Sequence, residues 1–115
     1  MVTGMPSQIA VKSEEGQPPT LVLRGDVTIF EADRMHEAAT ALLEHEADVV
    51  VSCREMVRLD TAILQILLVL QRELQSRGRS IRLEGVSDGL RELLELAGVS
   101  EAFAGPAAAI HIARA

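Results

Sequence analysis

At 115 residues the chain is long enough for one domain with a core of its own and too short for two. Apolar residues make up 48% and charged ones 24%, the balance of a folded globular chain, which sets aside disorder or a coiled coil as the whole answer. A formal charge of −6, a single lysine (Lys12) and two aromatics, Phe30 and Phe103, leave no cation cluster for phosphates and no stacking platform for bases, so nucleic acid is not an expected partner.

Residues 1–7 read as a flexible tail, and 8–115 as a single domain. "SQIAVKSEE" predicts a short strand and "EGQPP" (15–19) a turn, so the fold opens with a hairpin whose second strand is Thr20 to Gly25. Thr28 and Glu31 have the spacing of a capping box and start a helix near 28–45, with Met35, Ala38, Ala39 and Leu42 recurring on one face. "ADVVVSC" (47–53) predicts a strand, its three valines marking a central one covered on both sides. A second helix spans about 60–77 and stops at Gly78, with Arg72 and Arg77 near the negative end of its dipole. "SIRLEG" (80–85) alternates like a half-exposed strand and is expected at an edge. Ser87 is the candidate cap of a third helix near 87–97, with Leu90, Leu93, Leu94 and Ala97 as its stripe and Gly98 as its stop; a short element after Pro106 could follow. Helices between the later strands imply parallel crossovers, so the expectation is an α/β fold: a four-stranded mixed β-sheet with an N-terminal hairpin and three to four helices.

Cys53 is the sole cysteine, which excludes an internal disulfide and a thiol-rich metal site and suits a reducing cytoplasm. The N-terminus lacks the basic and apolar regions of a signal peptide, and "TAILQILLVL" is far shorter than the roughly 20 apolar residues of a membrane span, so no direct membrane insertion is expected. His36, His45 and His111 form no ligand pair; neither a metal nor a cofactor is implied.

The stretch "RLDTAILQILLVLQ" (58–71) is the most informative. Asp60 stands where a carboxylate caps a helix and accepts from its free N–H groups; a catalytic role would need partners of recognisable spacing, and Cys53 is the nearest candidate. On a helical wheel centred on Ile63, with 100° per residue, Ile66, Leu67, Leu70 and Leu74 fall within about 60° of it and make the core stripe. Thr61, Gln65, Leu68 and Arg72 gather opposite, with Leu64 and Val69 on the flanks. Either neighbouring helices cover the apolar residues outside the stripe, or Thr61, Gln65, Leu68 and Arg72 form a docking face above Asp60.

The segments "LRGDVTIFEADRM", "ADVVVSCREMVRLDTAILQILL" and "RGRSIRLEGVSDGLRELLELAGVSEAF", in that order, resemble the STAS family, named for sulfate transporters and anti-sigma factor antagonists. The wordings "GDVTIF" and "LDTAILQILL" are most similar to small STAS proteins of bacterial chemotaxis systems, and also resemble the STAS subunit of lipid-transporting ABC systems. The resemblance implies a non-catalytic regulatory module, a monomer or weak homodimer. Its partner would be an anti-sigma or switch kinase, a chemotaxis signalling protein, or a transporter ATPase, met at the foot of the second helix. In the antagonists that kinases switch, the phosphorylated hydroxyl lies two residues after the aspartate; here that position is Ala62, which leaves Thr61 as the neighbouring hydroxyl. Ile63 stands where the family commonly has glycine. A small enzyme using Asp60 with Cys53 is the remaining alternative.

Overall fold

The computed structural model of the chain describes residues 8–96 and the backbone of 110–114. The tail expected at 1–7 and the stop expected at Gly98 lie outside the described residues. Strands β1 (Ile9–Lys12) and β2 (Thr20–Val27) form the antiparallel hairpin that "EGQPP" predicts, with Ile9 opposite Leu23. A 3₁₀ turn (Ile29–Glu31) leads into α1 (Ala32–Glu44), followed by β3 (Val49–Leu59), α2 (Thr61–Ser76), β4 (Ile81–Val86), α3 (Asp88–Leu96) and β5 (Ile110–Arg114). The sheet order is β1-β2-β3-β4-β5, and every pairing after the hairpin is parallel.

This is the mixed α/β sheet expected from the sequence, extended by a fifth strand at the short element after Pro106. Because β5 pairs with β4, "SIRLEG" is an interior strand and not an edge. Its alternation reports one polar face, which a strand can have anywhere in a sheet. Strand β3 runs six residues past the expected Cys53. Its second half, from Arg54 to Arg58, to which the sequence reading gives no element, runs along β2, and two register shifts absorb the two extra residues.

The core is one cluster drawn from the three helices and from alternate residues of the strands, among them Leu21, Leu23, Val49, Val51, Ile81 and Leu83. Val22 and Val50 are buried outside that cluster; with Thr20, Ser52, Arg82 and Glu84 they line a shallow depression on the opposite face. The central strand is therefore covered by helices on one side and by polar neighbours on the other. Ion pairs Arg24–Glu55 (3.5 Å) and Arg82–Glu84 (2.7 Å) complete that second side. Gly85 stands at φ +71°, and a Cβ there would collide with the side chain of Arg54.

Helix α2 is rotated from the orientation that its strongest stripe predicts. Ile63, Leu64, Ile66, Leu67, Leu68, Leu70, Gln71 and Leu74 are buried, while Thr61, Gln65, Val69, Arg72, Glu73 and Ser76 are exposed. Leu68 is 8% exposed, whereas Val69, placed on a flank by the wheel, is 55% exposed. The buried arc spans roughly 200° and centres near Leu67, about 40° from Ile63. The cause is a second neighbour: α1 packs alongside α2, so Met35, Ala38 and Leu42 share a cluster with Leu64 and Leu68. Leu68 does not belong to the outward face.

The end of α2 is built as the glycine at 78 predicts. With Gly78 at φ +71°, its N–H donates to Gln75 O (3.1 Å) and the Arg79 N–H to Leu74 O (2.8 Å), the paired bonds of a Schellman stop. Arg79 then closes α1 as well. Its guanidinium donates to Leu42 O (2.9 Å) and Leu43 O (3.1 Å) in the last turn, adding to the His45 N–H bond on Leu42 O (3.3 Å), and to Ala47 O (2.6 Å) in the loop beyond. Desolvation, with Arg77 close by, pulls the Arg79 guanidinium below the usual arginine range.

The rotation of α2 has a direct stability test. Leu68→Ala and Ile66→Ala each lower unfolding stability by roughly 2–5 kcal/mol, whereas Val69→Ala stays within about 0.5 kcal/mol. Denaturant melts of the three variants check this; a Leu68→Ala variant as stable as wild type would mean that Leu68 faces solvent after all.

Candidate functional site

Strands β2 and β3 end together at the pair Val27–Leu59, and both chains leave the sheet at that point. The Asp60 N–H donates to Val27 O (3.0 Å), and the Asp60 carbonyl accepts from Ile63 N–H (3.0 Å) and Leu64 N–H (3.1 Å), so one residue ends β3 and opens α2. Its φ of −75° and ψ of 151° are those of an N-cap. The carboxylate, however, makes no hydrogen bond to its own helix. Asp60 Oδ2 accepts from the Ile29 N–H (3.0 Å), thirty-one residues earlier in the chain. The expected cap is thus a tie between two loops: the turn after β2 brings its own unpaired donor to the carboxylate.

That turn is held from its other side by the predicted capping box. Thr28 N–H and Oγ1 both donate to Glu31 Oε1 (2.8 and 3.0 Å), Thr28 Oγ1 accepts from Phe30 N–H (3.2 Å), and the Glu31 N–H donates to Thr28 O (2.9 Å). Between these fixed points the turn presents two large apolar side chains to solvent, Ile29 at 59% exposure and Phe30 at 90%. The docking face read from sequence lacks both. The available signal was their position inside the box, where residues lie on the outside of a helix start and polar side chains are usual.

Of the residues singled out from sequence, Asp60 is half-buried at the foot of α2, and Thr61, Gln65 and Arg72 are exposed above it on one face. Arg72 lies about 16 Å up the helix from Thr61 at 1.5 Å per residue, so the compact site is Asp60 and Thr61 with Ile29 and Phe30, and Gln65 one turn higher. Val69 occupies the place on this face that the wheel gives to Leu68. Ala62, half-buried, offers no hydroxyl.

Cys53 is buried within β3, and desolvation pushes its thiol up to about 12. It precedes Asp60 by seven residues of largely extended chain, roughly 20 Å, so the two do not form a catalytic pair. His36 is exposed and His45 half-buried. Among the described residues no group of three His, Cys, Asp or Glu could hold a metal ion, and no helix is long and apolar enough to cross a membrane. The arrangement can offer a rigid, partly apolar surface at the carboxyl ends of two strands and the start of a helix.

A mixed sheet of this order with its helices on one face is an α/β architecture shared with known domains. The chain belongs to the STAS family: the model described as "Mlab, STAS domain" matches residues 10–105. Its fold is similar to that of the unphosphorylated anti-sigma factor antagonist SpoIIAA, at TM-score 0.66 and 11% identity over 76% of this chain and 82% of that one. A putative anti-sigma factor antagonist from Thermotoga maritima gives TM-score 0.67 and 12% identity over 81% and 80%. A sulfate transporter family protein from Wolinella succinogenes gives 0.63 and 25% identity over 72% and 68%. No curated protein matches in sequence.

Two outcomes follow from this geometry. Asp60→Ala removes the acceptor of the Ile29 N–H and costs about 1 kcal/mol, with faster hydrogen exchange at Ile29 and unchanged exchange in the β1–β2 hairpin. For Cys53 the folded thiol near 12 lies above its ordinary 9.0, so below pH 9 it is neutral in both states. Above pH 9 the unfolded chain loses a proton that the folded chain keeps, and the contribution of this group to stability declines as pH rises towards 12. Chemical denaturation of wild type and Cys53→Ala across that range reads the difference.

Proposed function

We propose that this domain is a regulatory protein–protein interaction module that docks its partner at the foot of α2, in the manner of an anti-sigma factor antagonist. The observation that carries the reading is the use of the Asp60 carboxylate. It is spent on the backbone of the β2–α1 turn, which leaves Thr61, Ile29 and Phe30 displayed on a fixed frame. In this reading Asp60 positions the surface, and Thr61, Gln65 and Arg72 contribute contacts along it. Leu68 acts only by supporting the helix from within. The module works without a catalytic group of its own, in the cytoplasm of a bacterium. Its partner is a protein of a chemotaxis or kinase and sigma-factor switching system.

A second reading, a subunit attached to the ATPase of a lipid-transporting ABC system, draws support from Ala62. Without a hydroxyl at the usual acceptor position, a partner can be held permanently and need not be switched. Thr61 remains the exposed hydroxyl at a helix N-terminus, where a phosphate is tolerated. Thr61→Glu therefore keeps the melting temperature and weakens the partner by about tenfold or more, roughly 1.4 kcal/mol. Titration of the partner co-purified from native cells measures the loss, and its identity separates a signalling protein from a transporter ATPase. Unchanged affinity together with an unphosphorylated Thr61 in mass spectra would leave the residue as part of the helix start alone.

A further inference from the structure

Large apolar side chains that stay in water on a rigid backbone point to something that covers them in a complex. Phe30 is 90% exposed, and Ile29 beside it is more than half exposed. The backbone of their turn is fixed by the Thr28–Glu31 capping box on one side and by Asp60 on the other, so both side chains leave it from a set position. Val57, also exposed, lies three residues before Asp60 at the same end of β3. An aromatic side chain has only two rotatable torsions, so on a backbone already fixed its burial by a partner costs little conformational entropy, which is the property of an interface anchor.

The charges around the turn select the occupant. Asp26, Glu31, Asp33 and Asp60 flank it against Arg34 and Arg58, four carboxylates to two guanidiniums, in a chain of net charge −6. An anionic lipid surface would repel this region, whereas a socket ringed by lysine or arginine would complement it. Resting on the docking function proposed above, we infer that Ile29 and Phe30 are the anchor of the interface, and that they insert into an apolar socket with a basic rim on a protein partner.

The test places a photo-cross-linking amino acid at position 30, at 65, and at 12 on the far strand as background, in the full chain expressed in its native cell. The expected result is an adduct at 30 whose partner peptide lines an apolar pocket flanked by Lys or Arg. With that partner purified, Phe30→Ala weakens binding about tenfold or more at unchanged melting temperature, and Phe30→Leu restores part of it. An adduct at 65 but none at 30, with Phe30→Ala within about twofold of wild type, would overturn the anchor and leave the docking function standing. Adducts at neither 30 nor 65 would overturn both. Co-sedimentation with phosphatidylcholine–phosphatidylglycerol vesicles that is lost in Phe30→Ser would overturn the protein socket in favour of a membrane.

Discussion

Two hydrogen bonds, from Asp60 N–H to Val27 O and from Ile29 N–H to Asp60 Oδ2, hold together the place where the two longest strands end. Parallel strands release their chains at the same edge of the sheet, and without a link the two departing loops would move independently. Here the link is one residue that serves three structures at once: it ends β3, opens α2 and fixes the turn that leads to α1. Each such bond is worth only about 1 kcal/mol net, but together they set the relative placement of two helix starts. The proposed docking surface would inherit its rigidity from this junction.

The rest of the fold places the proposed surface at the carboxyl end of the parallel strands. Each of α1, α2 and α3 follows a parallel strand, so their N-termini gather where the strands finish. The three helices share one cluster with alternate residues of the sheet, which leaves the other face of the sheet to polar side chains and ion pairs. A surface formed at the strand ends can thus change its side chains without touching the core. This division is common in open α/β folds, where binding concentrates at the carboxyl ends of strands.

Features fixed by neighbours in the chain are legible in the sequence. The Thr28–Glu31 box, the Ser87 cap that accepts from Leu90 N–H (3.1 Å), the Gly78 stop and the hairpin turn all act within a few residues, and each stands where its spacing puts it. The order of strands and helices follows from them, and the motifs from β2 through α3 point to the right family. What escapes are effects of distant packing. The facing of α2 depends on α1, which no wheel of α2 alone contains, and so the wheel puts Leu68 on the wrong side. The acceptor role of Asp60 can be read from its position but its donor cannot, because Ile29 is thirty-one residues away. Interior and edge positions of β4 differ only in what lies beside them, and Ile29 and Phe30 read as ordinary helix-start residues until their exposure is known.

Arg79 bears on the order in which the chain can assemble. The last carbonyls of α1, at Leu42 and Leu43, receive their guanidinium donors from a residue 37 and 36 positions later. Until β3 and α2 have folded and delivered Arg77 and Arg79, the Leu42 carbonyl has only the local His45 N–H (3.3 Å) and the Leu43 carbonyl lacks both of its guanidinium donors, so the C-terminal turn of α1 frays more readily. On a chain emerging from the ribosome N-terminus first, the guanidinium bonds that secure the end of α1 therefore form only after the turn into β4 has appeared. The security of the first helix's end thus depends on the segment that leads into the fourth strand, a long-range closure that a local propensity scale would assign to residues 32–44 alone.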